Sequence, residues 1–453
     1  MKSLQAYTHV IWCPVSNLVI DALKSAPNLN SVRISSHAID SLPALNRLGS
    51  LEGIYFDPIA GENLPDLLPY APLTVGIASR RNGGSPSLEE FKNAMIGGLS
   101  KLLIKSQAHL QHLHLGWGPQ VTWLGDLVRE LKHGQGSTTF PALRRLRISF
   151  GGGSVSDSGE MMSFVELAPQ LERVVFEVFE GEFRGKLALP TDMNALKFFQ
   201  LSGTSSSCDS TSAFRNVIGS RYIEDINMNS ISLRCLRAIF AVNGLRCTTL
   251  TRLHFALSPK ETGLKLVHIK LVLAACPNLE DLQFITAFSG WEVSMVDVIK
   301  ALSMGATKLR VFGFDHPWEE PERGQRLIQD PDGRTIRSDE YGNFRLLAVG
   351  VHGESVAEEV VGRIKADIKA CTPLYTKRFE QFATACPNLE KVLWVATLEV
   401  QWVFEFLRWP GETMKVSQES FVTYAGPPWD DAPGVDEQGG RGIVMRSTPF
   451  DRF

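Results

Sequence analysis

A short apolar ladder, Leu-x-x-Leu-x-Leu with Ile, Val, Phe, Tyr or Trp exchanging at the anchors, recurs about a dozen times along the chain. The clearest copies read Cys276-Pro277-Asn278-Leu279-Glu280-Asp281-Leu282-Gln283-Phe284 and Cys386-Pro387-Asn388-Leu389-Glu390-Lys391-Val392-Leu393-Trp394. Each copy is too short to bury its own apolar face, so it must stack on the next; that is the logic of a solenoid. Taking the first apolar residue of each copy, the markers are Tyr7, Leu29, Leu51, Leu110, Leu143, Leu171, Leu196, Ile223, Leu250, Leu279, Leu309 and Leu389. Most intervals lie near 22 to 33 residues, with gaps of 59 after Leu51 and 80 after Leu309. A degenerate copy at Leu73-Thr74-Val75-Gly76-Ile77 is expected in the first gap, and an insertion in the second.

Helical periodicity fills the spaces between ladders. Leu88, Phe91, Met95, Leu99 and Leu102 keep a three-and-four spacing behind a Ser87-x-x-Glu90 capping box. Further stripes are Leu124, Leu127, Val128 and Leu131; Leu264, Val267, Leu271 and Ala274; and Met295, Val298 and Leu302. Strand alternating with helix predicts an α/β leucine-rich-repeat solenoid, a horseshoe with parallel strands on its concave face and helices on its convex face. The solenoid is expected over residues 1–412, interrupted at 315–353 by a charged insertion. Within it, Asp330-Pro331-Asp332-Gly333 reads as the turn of a hairpin between Arg326–Ile328 and Thr335–Arg337. Residues 413–453 read as a strand followed by a mobile tail, since Gly426–Gly434 has too little apolar content to pack.

Charge and cysteine usage narrow the function. Lys plus Arg number 46 against 49 Asp plus Glu, a balance that draws the chain neither to nucleic acid nor to an anionic membrane. No run approaches the roughly 18 apolar residues of a membrane span, and the start lacks the apolar core of a signal peptide. The seven cysteines are scattered without a CxxC pair. Cys276 and Cys386 hold the same place in their repeats, as small buried hydrophobes would, so a reducing compartment, cytosol or nucleus, is expected.

The irregular, Cys-Pro-x-Leu-bearing ladder resembles the repeats of fungal-type F-box/leucine-rich-repeat proteins over most of residues 7 to 400. The resemblance implies a substrate receptor: repeats that hold a protein substrate, with an F-box docking a Skp-type adaptor of a cullin–RING ubiquitin ligase. The nearest string to an F-box opening is Asn63-Leu64-Pro65-Asp66-Leu67-Leu68, which lies among repeats and lacks the family's continuation. Adaptor and cullin are therefore expected as partners only if an F-box lies upstream. Tyr7-Thr8-His9-Val10-Ile11-Trp12 already fits the ladder near the first residue, so a further upstream segment or a partner covering that edge is expected.

Several motifs invite chemistry and have simpler explanations. His112 and His114 share one side of a strand, as metal ligands would. The Leu110, Leu113 and Leu115 anchors account for their spacing, and no nearby Cys, Asp or Glu completes a ligand set. Phe150-Gly151-Gly152-Gly153-Ser154 lacks the Gly-Lys-Ser/Thr ending of a phosphate loop. Asp330-x-Asp332-Gly333 lacks the further ligands of a calcium loop. Nucleophile–base pairs at useful spacing are missing, so a non-catalytic module without cofactor or metal is expected ahead of an enzyme.

Binding residues are read from the ladder register. Leu143, Leu146 and Ile148 turn inward, which sets Arg145 and Arg147 on the concave face, joined from other repeats by Arg33, Tyr55, His112, His114 and Arg173. Trp117, Trp291 and Trp318 each follow a ladder strand and are expected along one rim, either as contacts for a partner or as caps on their own helices. One residue per strand forms a middle column: Arg33, Tyr55, His114, Arg147, Val175, Gln200, Asn227, His254, Gln283, Gly313 and Leu393. An exposed column of that composition would hold an extended protein partner with an acidic end. A scaffold or inhibitor with no ubiquitin-ligase link is the alternative.

Overall fold

The computed structural model describes residues 4–9, 15–35, 42–48, 51–57, 88–117, 122–133, 138–155, 159–183, 193–204, 223–240, 247–257, 263–286, 291–315, 328–329, 335–336, 377, 379–395, 400–408 and 414–422. The chain forms two compact units, Met1–Leu245 and Arg246–Phe453. Leu73–Ile77, Ser87, Trp318, the hairpin turn at 330–334 and the tail from 423 lie outside the described residues.

Among the described residues the first unit carries eight strands in chain order, each parallel to the next: β1 (Ala6–His9), β2 (Ser31–Ser35), β3 (Gly53–Asp57), β4 (His112–Trp117), β5 (Arg145–Val155), β6 (Arg173–Phe183), β7 (Phe198–Thr204) and β8 (Asp225–Ile231). Parallel neighbours need crossovers. Those described contain α1 (Asn17–Lys24), α2 (Leu42–Leu45), α3 (Leu88–Ser106), α4 (Thr122–His133) and α5 (Gly159–Val165), and α6 (Leu233–Phe240) follows β8.

The ladder explains the strands. Leu29, Leu51, Leu110, Leu143, Leu171, Leu196 and Ile223 each stand two residues before a strand, and the next anchor is buried in every case: Val32, Ile54, Leu113, Leu146, Val174, Phe199 and Ile226. Tyr7 departs from this. It pairs with Val32, a second anchor, so the first copy begins at Leu4. A motif with a three-residue step matches itself when shifted by three, which is why the sequence admits both registers.

Across the 59-residue gap, Tyr55 on β3 pairs directly with His114 on β4.

The second unit begins with parallel strands β9 (Arg252–Leu257), β10 (Asp281–Ile285) and β11 (Val311–Phe314), with α7 (Leu266–Ala275) and α8 (Met295–Gly305) in the crossovers. Strands β12 (Ile328–Gln329) and β13 (Thr335–Ile336) pair antiparallel, as the expected hairpin does. β14 (Lys391–Val395) then pairs with β11 in parallel, so the sheet order continues across the long interval between them. β15 (Val400–Leu407) and β16 (Lys415–Val422) follow as antiparallel hairpins, because their short connections cannot hold a crossover.

The expected stripe on α7 is out of phase. Val267 is 50% exposed, whereas His268, Ile269, Val272 and Leu273 are buried. This helix is apolar on nearly every side, so periodicity cannot orient it. His268 also caps the helix start, where its Nδ1 accepts from the Lys265 N–H at 3.0 Å. On α8, Met295, Val298 and Leu302 are buried as expected.

In both units an open, mostly parallel sheet alternates with helices, the architecture of a leucine-rich-repeat-like solenoid. The Cys-Pro-Asn-Leu segments make the joints. Asn278 Nδ2 donates to the Thr248 carbonyl of the preceding repeat at 2.6 Å, and Asn388 Nδ2 to that of Thr307 at 2.6 Å. Phe255, Phe284 and Phe312 then stack edge to face through the core, with centroids 4.2 and 6.3 Å apart.

Candidate protein-binding face

Alternation along a strand sends every second side chain to one face of the sheet. In the first unit the backbone register aligns the middle column as expected: Arg33, Tyr55, His114, Arg147, Val175, Gln200 and Asn227 are consecutive partners. In the second unit His254, Gln283, Gly313 and Leu393 are aligned in the same way.

Register and exposure part company. Arg33, His114 and Arg147 are half-buried, but Val175 and Gln200 are 0% exposed and Asn227 2%. Leu393 is 7% exposed, and Gly313 is closed over by Gln283, whose Cγ would stand 2.8 Å from a Cβ added there. An exposed column running the length of each unit is therefore ruled out. Its accessible part in the first unit lies on the early strands.

Around Arg147 the face is already neutralised. Arg147 Nε and Nη2 both donate to Glu177 Oε2, at 2.8 and 2.7 Å, and the Ser149 hydroxyl donates to the same oxygen at 3.0 Å. Since Ser149 gives its proton to Glu177, its oxygen accepts from His114 Nε2 at 3.2 Å, which places the hydrogen on that nitrogen. Glu177 is 1% exposed, and its Oε1 is buried with no hydrogen-bond partner among the described residues. Arg147 is thus a partner to the chain's own carboxylate and not a free cation awaiting an acidic ligand. Glu177 was missed in sequence, although Arg173, Val175 and Glu177 alternate onto one face and Glu177 pairs with Ser149.

A second row lies two residues earlier on each strand, where His112, Arg145 and Arg173 are consecutive partners on β4, β5 and β6. All three are half-buried. Arg173 stacks its guanidinium 4.0 Å above the Phe198 ring of β7. Burial, then the Arg145 guanidinium, hold His112 below the usual histidine range, with Glu52 pulling the other way. His112 is therefore neutral at neutral pH, and Arg145 and Arg173 carry the row's charge.

Charges bordering the strands pair between repeats. Arg144 meets Glu172 at 3.5 Å and Lys197 meets Glu224 at 3.4 Å. In the second unit Arg310 forks onto Glu390 with two 2.9 Å bonds. On that unit's face His254 Nε2 lies 3.1 Å from Asp281 Oδ1, and Asp281 also accepts from Gln283.

The expected tryptophan rim does not hold for Trp291. It is 9% exposed, its ring packs against Phe284 and Phe314, and its indole N–H donates to buried Asp315 at 2.9 Å. Asp315 also accepts from the Thr286 N–H at 2.7 Å and its hydroxyl at 3.1 Å. Trp291 is a core residue that, through Asp315, is tied to Thr286 at the end of β10. Trp117 ends β4 opposite Phe150; its side chain and that of Tyr55, like all of Trp318, lie outside the described residues. Among the described residues no group of three His, Cys, Asp or Glu is placed to hold a metal ion, and no helix is long and apolar enough to cross a membrane.

No protein-family model matches the sequence, and no curated protein matches it at a significant level.

Proposed function

We propose that this chain is a non-catalytic protein-binding module of the cytosol or nucleus, a substrate receptor related to F-box/leucine-rich-repeat proteins and acting in ubiquitin-ligase-mediated degradation. The observation that carries the reading is the row His112, Arg145 and Arg173, in register on three neighbouring strands and half-exposed. Neighbouring strands stand about 4.8 Å apart, so Arg145 and Arg173 offer two adjacent positive charges, with neutral His112 beside them, to an extended acidic segment of a protein. Arg33 and His114 flank it on the middle column. Trp117 and Trp318 are carried as rim contacts from their positions after ladder strands, and Trp291 is not among them.

Affinity purification of the full chain from its own cells, followed by mass spectrometry, tests both halves of the reading. Recovery of a Skp-type adaptor and a cullin with an acidic client supports a ligase receptor. Clients without adaptor or cullin would leave a binding scaffold or inhibitor and overturn the ligase link. Arg145→Glu should release the client, and wild-type capture should weaken as salt rises. Unchanged capture by that variant would move the site off this face.

A further inference from the structure

The geometry points to Cys247 and Cys276 as an oxidation site, a vicinal dithiol between neighbouring repeats that a hydroperoxide converts to a disulfide. The inference does not depend on the binding face. Arg252 on β9 pairs with Asp281 on β10, and counting back the same number of residues on each chain reaches Cys247 and Cys276. The backbones remain joined there, with the Cys247 N–H donating to the Ala275 carbonyl at 2.7 Å. Adjacent strands run about 4.8 Å apart, within the roughly 4.4–6.8 Å between Cα atoms that a disulfide spans.

The two thiols lie close enough to shift one another's proton affinity. The neighbouring thiol favours the thiolate at Cys247, and the same neighbour together with burial holds the Cys276 thiol well above its usual range. Cys247 is 4% exposed against 1% for Cys276, and its neighbour Thr248 is exposed, so Cys247, the sulfur nearer solvent, is the nucleophile.

The equivalent place on the next repeat is Ala306 and on the one after it Cys386. Cys386 therefore stands two strand spacings from Cys276, about 10 Å, too far to bridge. Burial pushes its thiol up to about 11, with Arg408 opposing.

The chemistry balances. The Cys247 thiolate attacks one peroxide oxygen, the O–O bond breaks, and a sulfenic acid and one water form. Cys276 sulfur then attacks the sulfenic sulfur, and hydroxide leaves with the Cys276 proton as a second water. Two thiols lose two electrons and two protons, and the peroxide is reduced to two waters.

The test uses the full chain, purified reduced, exposed to hydrogen peroxide, alkylated under denaturing conditions and mapped without reductant. A cross-linked peptide joining Cys247 to Cys276 is expected in the wild type and in Cys386→Ala, and neither in Cys247→Ala nor in Cys276→Ala. Because the wild-type map decides the matter, a variant that fails to fold leaves the test intact. Both thiols still alkylated, either one joined to another cysteine, or separate sulfinic acids at the two positions would each overturn the assignment.

Discussion

Half-buried Arg147 on β5 and buried Glu177 on β6 form an ion pair in which two guanidinium contacts, 2.8 and 2.7 Å, fall on a single carboxylate oxygen. The pair makes part of the basic surface a structural element. Charge reversal at Arg145 and Arg147 together, harmless if both were surface residues, would set a glutamate beside a buried glutamate.

Arg147→Ala should therefore destabilise the first unit by about 3–5 kcal/mol, the cost of leaving the buried Glu177 carboxylate uncompensated. Replacing both members, as Arg147→Met with Glu177→Leu, should recover most of the loss. Urea unfolding of the two variants checks this, and a double variant no more stable than Arg147→Ala would refute it. Arg145→Glu should stay within about 0.5 kcal/mol of wild type.

His112 makes stability depend on pH in a defined direction. Its folded-state value is lowered, so the unfolded chain binds the proton more tightly and stability falls as pH drops below about 6.5. The loss levels off once pH passes below the folded value. His112→Gln should flatten that part of the thermal stability profile, and parallel profiles for the two proteins would contradict it.

The cluster around Asp315 predicts a local effect. Asp315→Ala removes the acceptor for the Thr286 N–H, its hydroxyl and the Trp291 indole. Each donor left buried and unsatisfied costs about 1–3 kcal/mol. Hydrogen exchange should accelerate first around Thr286 and Trp291. Trp291→Phe keeps the ring packing against Phe284 and should cost less.

Leu282, 0% exposed, pairs in register with Leu253 and Phe312. Leu282→Ala should cost about 2–5 kcal/mol through the cavity it opens. In an array coupled through nearest neighbours, protection should fall between 252 and 315 before elsewhere. Uniform loss of protection over the whole chain would argue against such an array.

Much of this fold can be read from the sequence alone, because each ladder carries its own strand and places its anchors by simple alternation. Leu279 and Leu282 locate β10 without knowledge of any other repeat, and equal offsets from successive markers align Arg33, Tyr55, His114 and Arg147. The same local logic finds the row His112, Arg145 and Arg173. What the ladder cannot supply is what lies across from a side chain. Gln200 and Asn227 share a column with Arg33 and yet are buried, Arg147 is claimed by Glu177 thirty residues away, and Trp291 turns into the core to reach Asp315. The phase of α7 was likewise open, its apolar sides being alike until the sheet chose one. Periodicity along one segment fixes which face a residue takes; burial and pairing depend on groups from other repeats, and only the tertiary structure brings those together.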